Sequence, residues 1–138
     1  MSITTAICNS FKREVLQGVH EAGDNYKIAL FTSAATLNKS TTGYSGSNEV
    51  SGQGYVAGGQ DLSGFIAGLS NDTAYLDWDD PAWPSASITA RGALIYNASK
   101  DNKAVACFDF GGLVSSTNAS FTVQIPAPAE ATAVVRIG

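Results

Sequence analysis

A chain of 138 residues, 44% of them hydrophobic, is the size of one domain (residues 1–138) and can fold without a metal or a disulfide. Only 14% of its residues are charged, the net charge is −4, and the eight basic residues are scattered, so the sequence lacks the basic stripe of a nucleic-acid-binding protein. Because the centres of protein interfaces are depleted in charge, this composition favours a protein that contacts other proteins.

Residues 1–22 contain the one predicted helix. Its apolar side chains recur at helical spacing and form a single stripe: Ile7, Phe11, Val15, Leu16 and Val19. The candidates for its N-cap are Thr4 and Thr5, and those for its end are Gly18 and Gly23. Since an isolated helix of this length is marginal in water, we expect it to pack on the domain through Phe11, Val15 and Val19.

From Tyr26 onward the hydrophobic period changes to two, which predicts a first strand in which Tyr26, Ile28 and Leu30 share one face. Further strands are predicted near residues 60–67, 73–79, 87–97, 103–110, 119–125 and 131–137. Short strands separated by regular turn signals favour a mainly β fold, an antiparallel β-sandwich or a jelly-roll-like fold over residues 26–138 with one N-terminal α-helix.

The segment 33–60 is rich in Gly, Ser and Thr and has no clear period. Compact domains seldom keep such a long segment without regular structure unless it has a function. Tyr44 and Tyr55 lie within it, and tyrosine offers a large contact area at low entropic cost. We therefore expect this segment, from Ser33 to Gln60, to carry much of the binding to neighbouring proteins and to become ordered on them; a solvent-exposed loop is the alternative.

No pattern of catalytic residues is found. His20 is the only histidine, no G-x-S-x-G motif is present, and we interpret His20 as a structural residue at the C-terminal end of the helix dipole. Residues 52–57 match a loose dinucleotide-binding pattern, but they do not lie between a strand and a helix. We expect no enzyme, no catalytic or cofactor-binding residue and no cofactor.

The acidic residues Asp77, Asp79 and Asp80 are the best candidates for binding an ion, since calcium takes six to eight oxygen ligands. However, no complete calcium-loop motif is present, and Asp-Asp-Pro is ordinary turn sequence. We prefer the turn and predict no metal site.

Two tryptophans flank this turn. Trp78 is assigned to the core because it follows the alternation set by Leu76, whereas Trp83 is either a core residue or an exposed anchor for a partner. The candidate protein interface therefore consists of Tyr44, Tyr55 and Trp83.

Cys8 and Cys107 are predicted to be free thiols. The first eleven residues lack a charged segment followed by an apolar one, so we expect no secretory signal and synthesis in a reducing cytosol. A helix and a distant strand also need not bring two Cα atoms within the roughly 7 Å that a disulfide requires. No run of about 18 apolar residues is present, which argues against a membrane-spanning helix.

Five stretches together resemble a family of small virion structural proteins of tailed bacteriophages. They are SITTAICNSFK (2–12), DNYKIALFT (24–32), EVSGQGY (49–55), ITARGALIY (88–96) and FTVQIP (121–126). The similarity runs nearly end to end, and the family offers no catalytic residues to carry over.

The resemblance implies a non-enzymatic virion protein, in first place a capsid decoration (cement) protein that binds the major capsid protein and stabilises the head. A tail, neck or fibre-base subunit is the alternative, and a carbohydrate-binding β-sandwich with Trp83, Tyr44 and Tyr55 as stacking platforms is a third. We expect a homo-oligomer, a trimer in preference to a dimer, with neither nucleic acid nor membrane as a partner. Its expected location is the capsid surface, after synthesis in the cytoplasm of the host bacterium.

Overall fold

The computed structural model describes residues 2–125 and the backbone of residues 135–137. Its elements are, in chain order, β1 (Ala6–Ile7), α1 (Asn9–Leu16), β2 (Tyr26–Phe31), β3 (Gln60–Asp61), β4 (Ile66–Ser70), β5 (Thr73–Asp77), β6 (Ala82–Asn97), β7 (Lys103–Thr122) and β8 (Val135–Ile137). The protein is mainly β, with one short N-terminal helix, which confirms the predicted fold class. No helix within the described residues combines the length and the apolar character needed to span a bilayer.

The strands form two antiparallel sheets in a sandwich-like arrangement. Five strands follow the order β1-β7-β6-β2-β3, and three follow the order β4-β5-β8. All six residues of β2 pair with β6, from Tyr26 opposite Asn97 to Phe31 opposite Gly92. Five of those six residues are buried, so both faces of β2 are covered and not only the one predicted from its alternation.

An aromatic cluster connects the two sheets. The ring of Tyr26 in β2 lies 5.6 Å from that of Phe65 and 5.5 Å from that of Trp78, which follows β5. Trp78 is only 3% exposed, which confirms its assignment to the core. Trp83 is 4% exposed and packs 6.3 Å from Phe121, so it is a core residue as well.

The helix is shorter than predicted, because the chain before and after it takes other structure. Residues 6–7 pair with β7, and Ile3 bridges Leu37, so Cys8 rather than Thr4 or Thr5 occupies the N-cap position. Gly18, one of the two predicted stops, has a φ of +73° just after the C-cap, which is the left-handed geometry that ends helices.

The predicted stripe of the helix is only partly buried. Phe11 is buried in the core and Val15 packs against it, as expected. Val19 lies beyond the helix, and Leu16 is 90% exposed. Leu16 and Val19 therefore do not continue a buried helical face, and the predicted packing through Val19 is not that of a helix residue.

Several predicted strands have different bounds. The region 60–67 divides into β3 and β4, and β6 begins at Ala82 rather than at residue 87. The predicted strand 103–110 and residues 119–122 of the predicted strand 119–125 belong to one long β7, whereas residues 123–125 lie beyond its end. Strand β7 contains positive φ angles at Gly111 (+81°) and Asn118 (+48°), and the β6–β7 register shifts at both places without the pairing ending. The last predicted strand is β8 at residues 135–137, and residues 131–134 lie outside the described chain.

Residues 33–60, hereafter the glycine-rich segment, are folded onto the domain in the monomer. They contain no regular helix or strand before Gln60, but Leu37, Gly43, Glu49 and Gln53 each form an isolated bridge to another part of the chain. The expectation that this segment becomes ordered only on a partner therefore differs from the structure, in which backbone pairing already holds it.

Candidate interaction surface

The three aromatic residues predicted to form an interface pack against other aromatic rings, and two of them, Tyr44 and Tyr55, belong to the glycine-rich segment itself. Tyr44 stacks on Tyr96 with 4.7 Å between ring centroids, and Tyr55 lies 5.9 Å from Trp83. The structure brings Tyr55 and Trp83 together and places Tyr44 in a separate stack. With Trp83 buried and both tyrosines half-buried, these rings have structural positions, and a contact between them and a partner stays a prediction.

Glu49 binds both tyrosines. Its Oε1 accepts a hydrogen bond from the Tyr44 hydroxyl at 2.6 Å, and its Oε2 accepts one from the Tyr55 hydroxyl at 2.5 Å and one from the Gly58 N–H at 2.8 Å. The Tyr55 hydroxyl also accepts the N–H of Leu30 in β2 at 2.9 Å. One carboxylate therefore fixes the glycine-rich segment to the central sheet through short, charge-assisted hydrogen bonds.

The electrostatics of this cluster keep the hydroxyls protonated. Burial, reinforced by the hydrogen bond to Glu49, raises the pKa of both Tyr44 and Tyr55 above the usual range. Burial also raises the pKa of Tyr96 to about 12. Glu49 was not predicted from the sequence. The signal that could have identified it is its isolation, since it is the only acidic residue between Asp24 and Asp61.

His20 belongs to a second buried polar network rather than to a helix end. Its Nε2 lies 2.9 Å from Glu14 Oε1, and its Nδ1 lies 2.9 Å from the side-chain nitrogen of Asn97. Because α1 ends at Leu16, the predicted interaction with the helix dipole is wrong, but the structural interpretation of this 3% exposed side chain fits its contacts.

Asn97 extends this network to Asp24, which also accepts hydrogen bonds from Lys100 at 2.8 Å. Burial alone would raise the pKa of Asp24, but the hydrogen bonds from Asn97 and Lys100 outweigh it and lower the pKa to about 2. The network therefore joins the chain after α1 to the turn between β6 and β7.

The acidic residues after β5 have separate structural positions. Asp80 Oδ1 accepts the N–H of Ile125 at 2.7 Å, which attaches the chain after β7 to the connection between β5 and β6. Burial raises the pKa of Asp77, whose Oδ1 has no hydrogen-bond partner. Within the part of the chain that the structure describes, no three His, Cys, Asp or Glu side chains are grouped to hold a metal ion.

Cys8 and Cys107 are free thiols, as predicted, and both are buried. Cys8 follows β1, which pairs with β7 such that Ala6 lies opposite Cys107. Each thiol lies near a backbone carbonyl oxygen: Cys107 Sγ donates to that of Thr4 at 3.2 Å, and Cys8 Sγ lies 4.0 Å from that of Asn38.

The clearest unprotected surface is the edge of the smaller sheet, strand β4. Its outer side has no neighbour among the described strands, and its register with β5 is regular along all five residues. Ile66 is 50% exposed and Leu69 is 71% exposed, and no charged residue occurs from Leu62 to Asn71. Natural proteins usually protect such an edge with charges, proline or a bulge, and none of these is present in β4.

A cavity of about 360 Å³ lies beside this edge. Its lining is mainly apolar and comes from both sides: Phe11 and Val15 of α1, and Ala67, Gly68 and Tyr75 of the β4–β5 hairpin. The hairpin therefore covers the helix incompletely and leaves an apolar recess next to an open edge.

Among the described residues, the outer part of β7 is a second open edge, since β1 pairs there with Ala106 and Cys107 alone. It exposes Leu113 (63%) and Val114 (43%). However, the register of β6 and β7 shifts near these residues, and such irregularities oppose strand addition. Strand β4 is therefore the better candidate interaction surface.

A comparison of the chain with protein-family models, with curated proteins and with solved structures finds no match. The resemblance to virion proteins of tailed phages stays a prediction.

Proposed function

We propose that this protein is a non-enzymatic structural protein of a tailed-phage virion, in first place a capsid decoration protein that binds the major capsid protein. A tail, neck or fibre-base subunit is the alternative position. The observation that supports an assembly role is the uncharged, regular and open edge of β4, with Ile66 and Leu69 exposed beside it.

The partner that we expect at this edge is a second copy of the same chain, bound by strand addition. Each copy carries a net charge of −4, so identical chains repel each other except where their surfaces are neutral. The β4 edge is such a surface, and strand addition would satisfy its free N–H and C=O groups.

A head-to-tail contact fits the preference for a trimer. Among the described strands, the smaller sheet has β4 at one edge and β8 at the other. Pairing of β4 with a different edge of the next copy is heterologous, and such contacts form a ring when the rotation between copies closes, whereas β4 against β4 would give a two-fold dimer. The copies in a ring would then bind the capsid lattice together, which provides avidity from weak single contacts.

The experiment for self-association is the molar mass of the protein in solution, measured by light scattering after size exclusion. We expect a mass about three times that of the 14.3 kDa chain. Leu69→Lys should lower it to that of the monomer, because it places a charge on the edge. Leu16→Lys is the matched control and should leave the assembly intact, since Leu16 is 90% exposed, belongs to no strand and does not line the cavity beside β4. Equal masses for both variants would contradict the β4 contact.

The experiment for the virion role is binding to phage heads that lack this protein. We expect the wild-type chain to saturate them at a copy number in the hundreds, as a decoration protein would; saturation at a small ring number would favour the tail or neck. No binding to heads, and none to tails or necks, would contradict a virion role.

The carbohydrate-binding alternative has less support from these residues. A stacking platform needs an aromatic face that a sugar ring can reach. Trp83 is 4% exposed, Tyr44 is covered by Tyr96, and Tyr55 faces Trp83.

A further inference from the structure

A shallow surface depression between α1 and the glycine-rich segment, hereafter the cationic depression, carries positive charge. Its volume is about 350 Å³, and both Arg13 of α1 and Lys39 of the segment line it. Lys12 lies at its rim, since Lys12 Nζ donates to Oδ1 of the lining residue Asn9 at 3.5 Å. The other lining residues are polar and neutral: Ser10, Ser40 and Thr42. Because no acidic residue of the described chain lines it, its positive charge is uncompensated.

Unpaired cations are unexpected in a chain whose net charge is −4. Three basic residues form ion pairs with carboxylates, namely Lys27, Arg91 and Lys100. The three cations of the depression form none with any carboxylate of residues 2–125, and the sequence contains no acidic residue from 25 to 48. Lys103 has no ion pair among these residues either, but Asp101 lies in the same turn. The cationic depression is therefore the main surface that attracts a carboxylate.

Residues 77–80, hereafter the acidic turn, lie at one end of the open β4 edge. Asp77 is paired with Ile66 of β4, and the Asp79 N–H donates to the Ser63 carbonyl at 2.8 Å. Asp79 is exposed, and its carboxylate forms no ion pair with a cation of the described chain. The acidic turn therefore adjoins the neutral edge at which we propose self-association.

The cationic depression and the β4–β5 hairpin lie on opposite faces of α1. Asn9, Ser10 and Arg13 line the depression, whereas Phe11 and Val15 line the recess beside β4. With 3.6 residues per turn, the centres of these two sets are about 170° apart around the helix axis. One copy can therefore present its hairpin to one neighbour and its depression to another, as a head-to-tail contact requires.

Each of the two surfaces also contains an unsatisfied polar atom. Within the part of the chain that the structure describes, the buried side-chain polar atoms without a hydrogen-bond partner are Ser10 Oγ, in the depression, and Asp77 Oδ1, in the acidic turn. Buried polar groups in folded proteins are normally hydrogen-bonded, and each exception needs an explanation. Both exceptions occur at the surfaces where opposite charges are uncompensated, as expected of surfaces that another molecule covers.

We propose that the acidic turn of one copy docks in the cationic depression of the next copy, with Asp79 opposite Arg13 and Lys39. This inference rests on the proposed self-association and adds the surface of the neighbour that meets the β4 side. Carboxylates form charge-assisted hydrogen bonds with guanidinium and ammonium groups. Exposed ion pairs add little affinity one by one, but complementary charges across an interface fix its register and speed association.

The same charges disfavour a two-fold dimer through β4. A two-fold pair of edge strands is antiparallel, so the Ile66 end of one β4 would lie beside the Ser70 end of the other. That arrangement brings the acidic turn of one copy toward Asp72 of the other copy, an exposed residue in the turn that follows Ser70. Like charges that face each other across an interface are unfavourable. The charge pattern therefore favours the head-to-tail contact over the dimer.

Charge reversal at either surface tests the contact, with the molar mass of the full chain measured by light scattering over a range of concentrations. Lys39→Glu and Asp79→Lys should each raise the dissociation constant of the assembly by about tenfold or more, because each places like charges opposite one another. Lys27→Glu and Asp72→Lys make the same changes in charge away from the contact and should alter the constant by less than about threefold. Equal effects of test and control variants would overturn the inference.

The double variant Lys39→Glu/Asp79→Lys restores opposite charges at every head-to-tail contact. It should associate at least about tenfold more tightly than the two single effects together predict, since substitutions at residues that do not meet are additive. Additive effects would overturn the inference.

A salt series on the wild-type chain tests the contact without any variant. Near 1 M salt the Debye length is about 3 Å, so the dissociation constant should rise by about tenfold relative to 0.05 M salt. An unchanged constant would contradict the charge contact. Loss of assembly in Leu69→Lys, with wild-type assembly in Lys39→Glu and Asp79→Lys, would overturn this inference alone and leave the β4 contact in place. A monomeric wild-type chain would overturn both.

Discussion

The glycine-rich segment and the β4–β5 hairpin, residues 66–77, both lie at the periphery of the protein, but they are held in different ways. The segment has almost no regular structure, yet Leu37 and Val50 are buried and Glu49 connects it to the sheet. The hairpin has a regular ladder, yet Ile66 and Leu69 face solvent. The less regular region is therefore the more buried one. Variants in the two regions test whether it also contributes more to the free energy of unfolding.

The largest effect is expected where the segment touches β2. Gly59 has a φ of +79°, and a Cβ at this position would overlap the carbonyl group of Ile28. Gly59→Ala should therefore cost more than about 4 kcal/mol or prevent folding. Gly23→Ala is the control, because no atom lies within 4 Å of its Cβ position, and it should change the free energy of unfolding by less than about 1 kcal/mol. Equal urea midpoints would show that the segment can move away from the sheet.

A pair of leucines compares the two regions directly. Leu37 in the segment is 5% exposed, whereas Leu69 in the hairpin is 71% exposed. Leu37→Ala should lower the free energy of unfolding by about 2–5 kcal/mol through the cavity it leaves. Leu69→Ala should change it by less than about 0.5 kcal/mol. Urea denaturation of both variants as monomers measures this, and similar losses would remove the distinction between the regions.

Glu49→Gln tests the carboxylate at the centre of the segment. Only one of the two oxygens remains in the amide, so at least one of the three donors from Tyr44, Tyr55 and Gly58 loses its acceptor. We expect a loss of about 2–4 kcal/mol in the free energy of unfolding. Glu21→Gln makes the same chemical change at an exposed ion pair with Lys100 and should cost less than about 1 kcal/mol. A loss no greater than that of the control would mean that the aromatic stacks alone hold the segment.

The smallest effect concerns Asp77 in the hairpin. Burial raises its pKa, so the folded state binds the proton more tightly than the unfolded state does. The associated stability is present below the unfolded pKa and is lost as the pH rises through the folded pKa. Asp77→Asn should therefore stabilise the protein at pH 7, by less than about 1 kcal/mol, and lose this advantage in acid. Asp72→Asn in the exposed turn is the control, and an equal response in both variants would contradict the assignment.

The sequence allowed the fold class to be predicted because alternation in β2 and turn signals between strands are local properties. The sequence did not define where the helix begins. Residues 6–7 fit the helical pattern, but in the structure they pair with β7, about 100 residues later in the chain. The sequence singled out Tyr44, Tyr55 and Trp83, but composition alone cannot show that both tyrosine hydroxyls donate hydrogen bonds to Glu49. The open edge of β4 depends on strand order, which no local pattern encodes.

The position of β1 has a consequence for synthesis. Ala6 and Ile7 are synthesised about 100 residues before their partners Ala106 and Cys107. At translation rates of roughly 5–20 residues per second, β1 waits about 5–20 seconds for the strand on which it docks. During that interval Phe11 and the neighbouring apolar residues have no core to enter, so a nascent chain of this protein is a ready substrate for the chaperones that bind exposed hydrophobic segments.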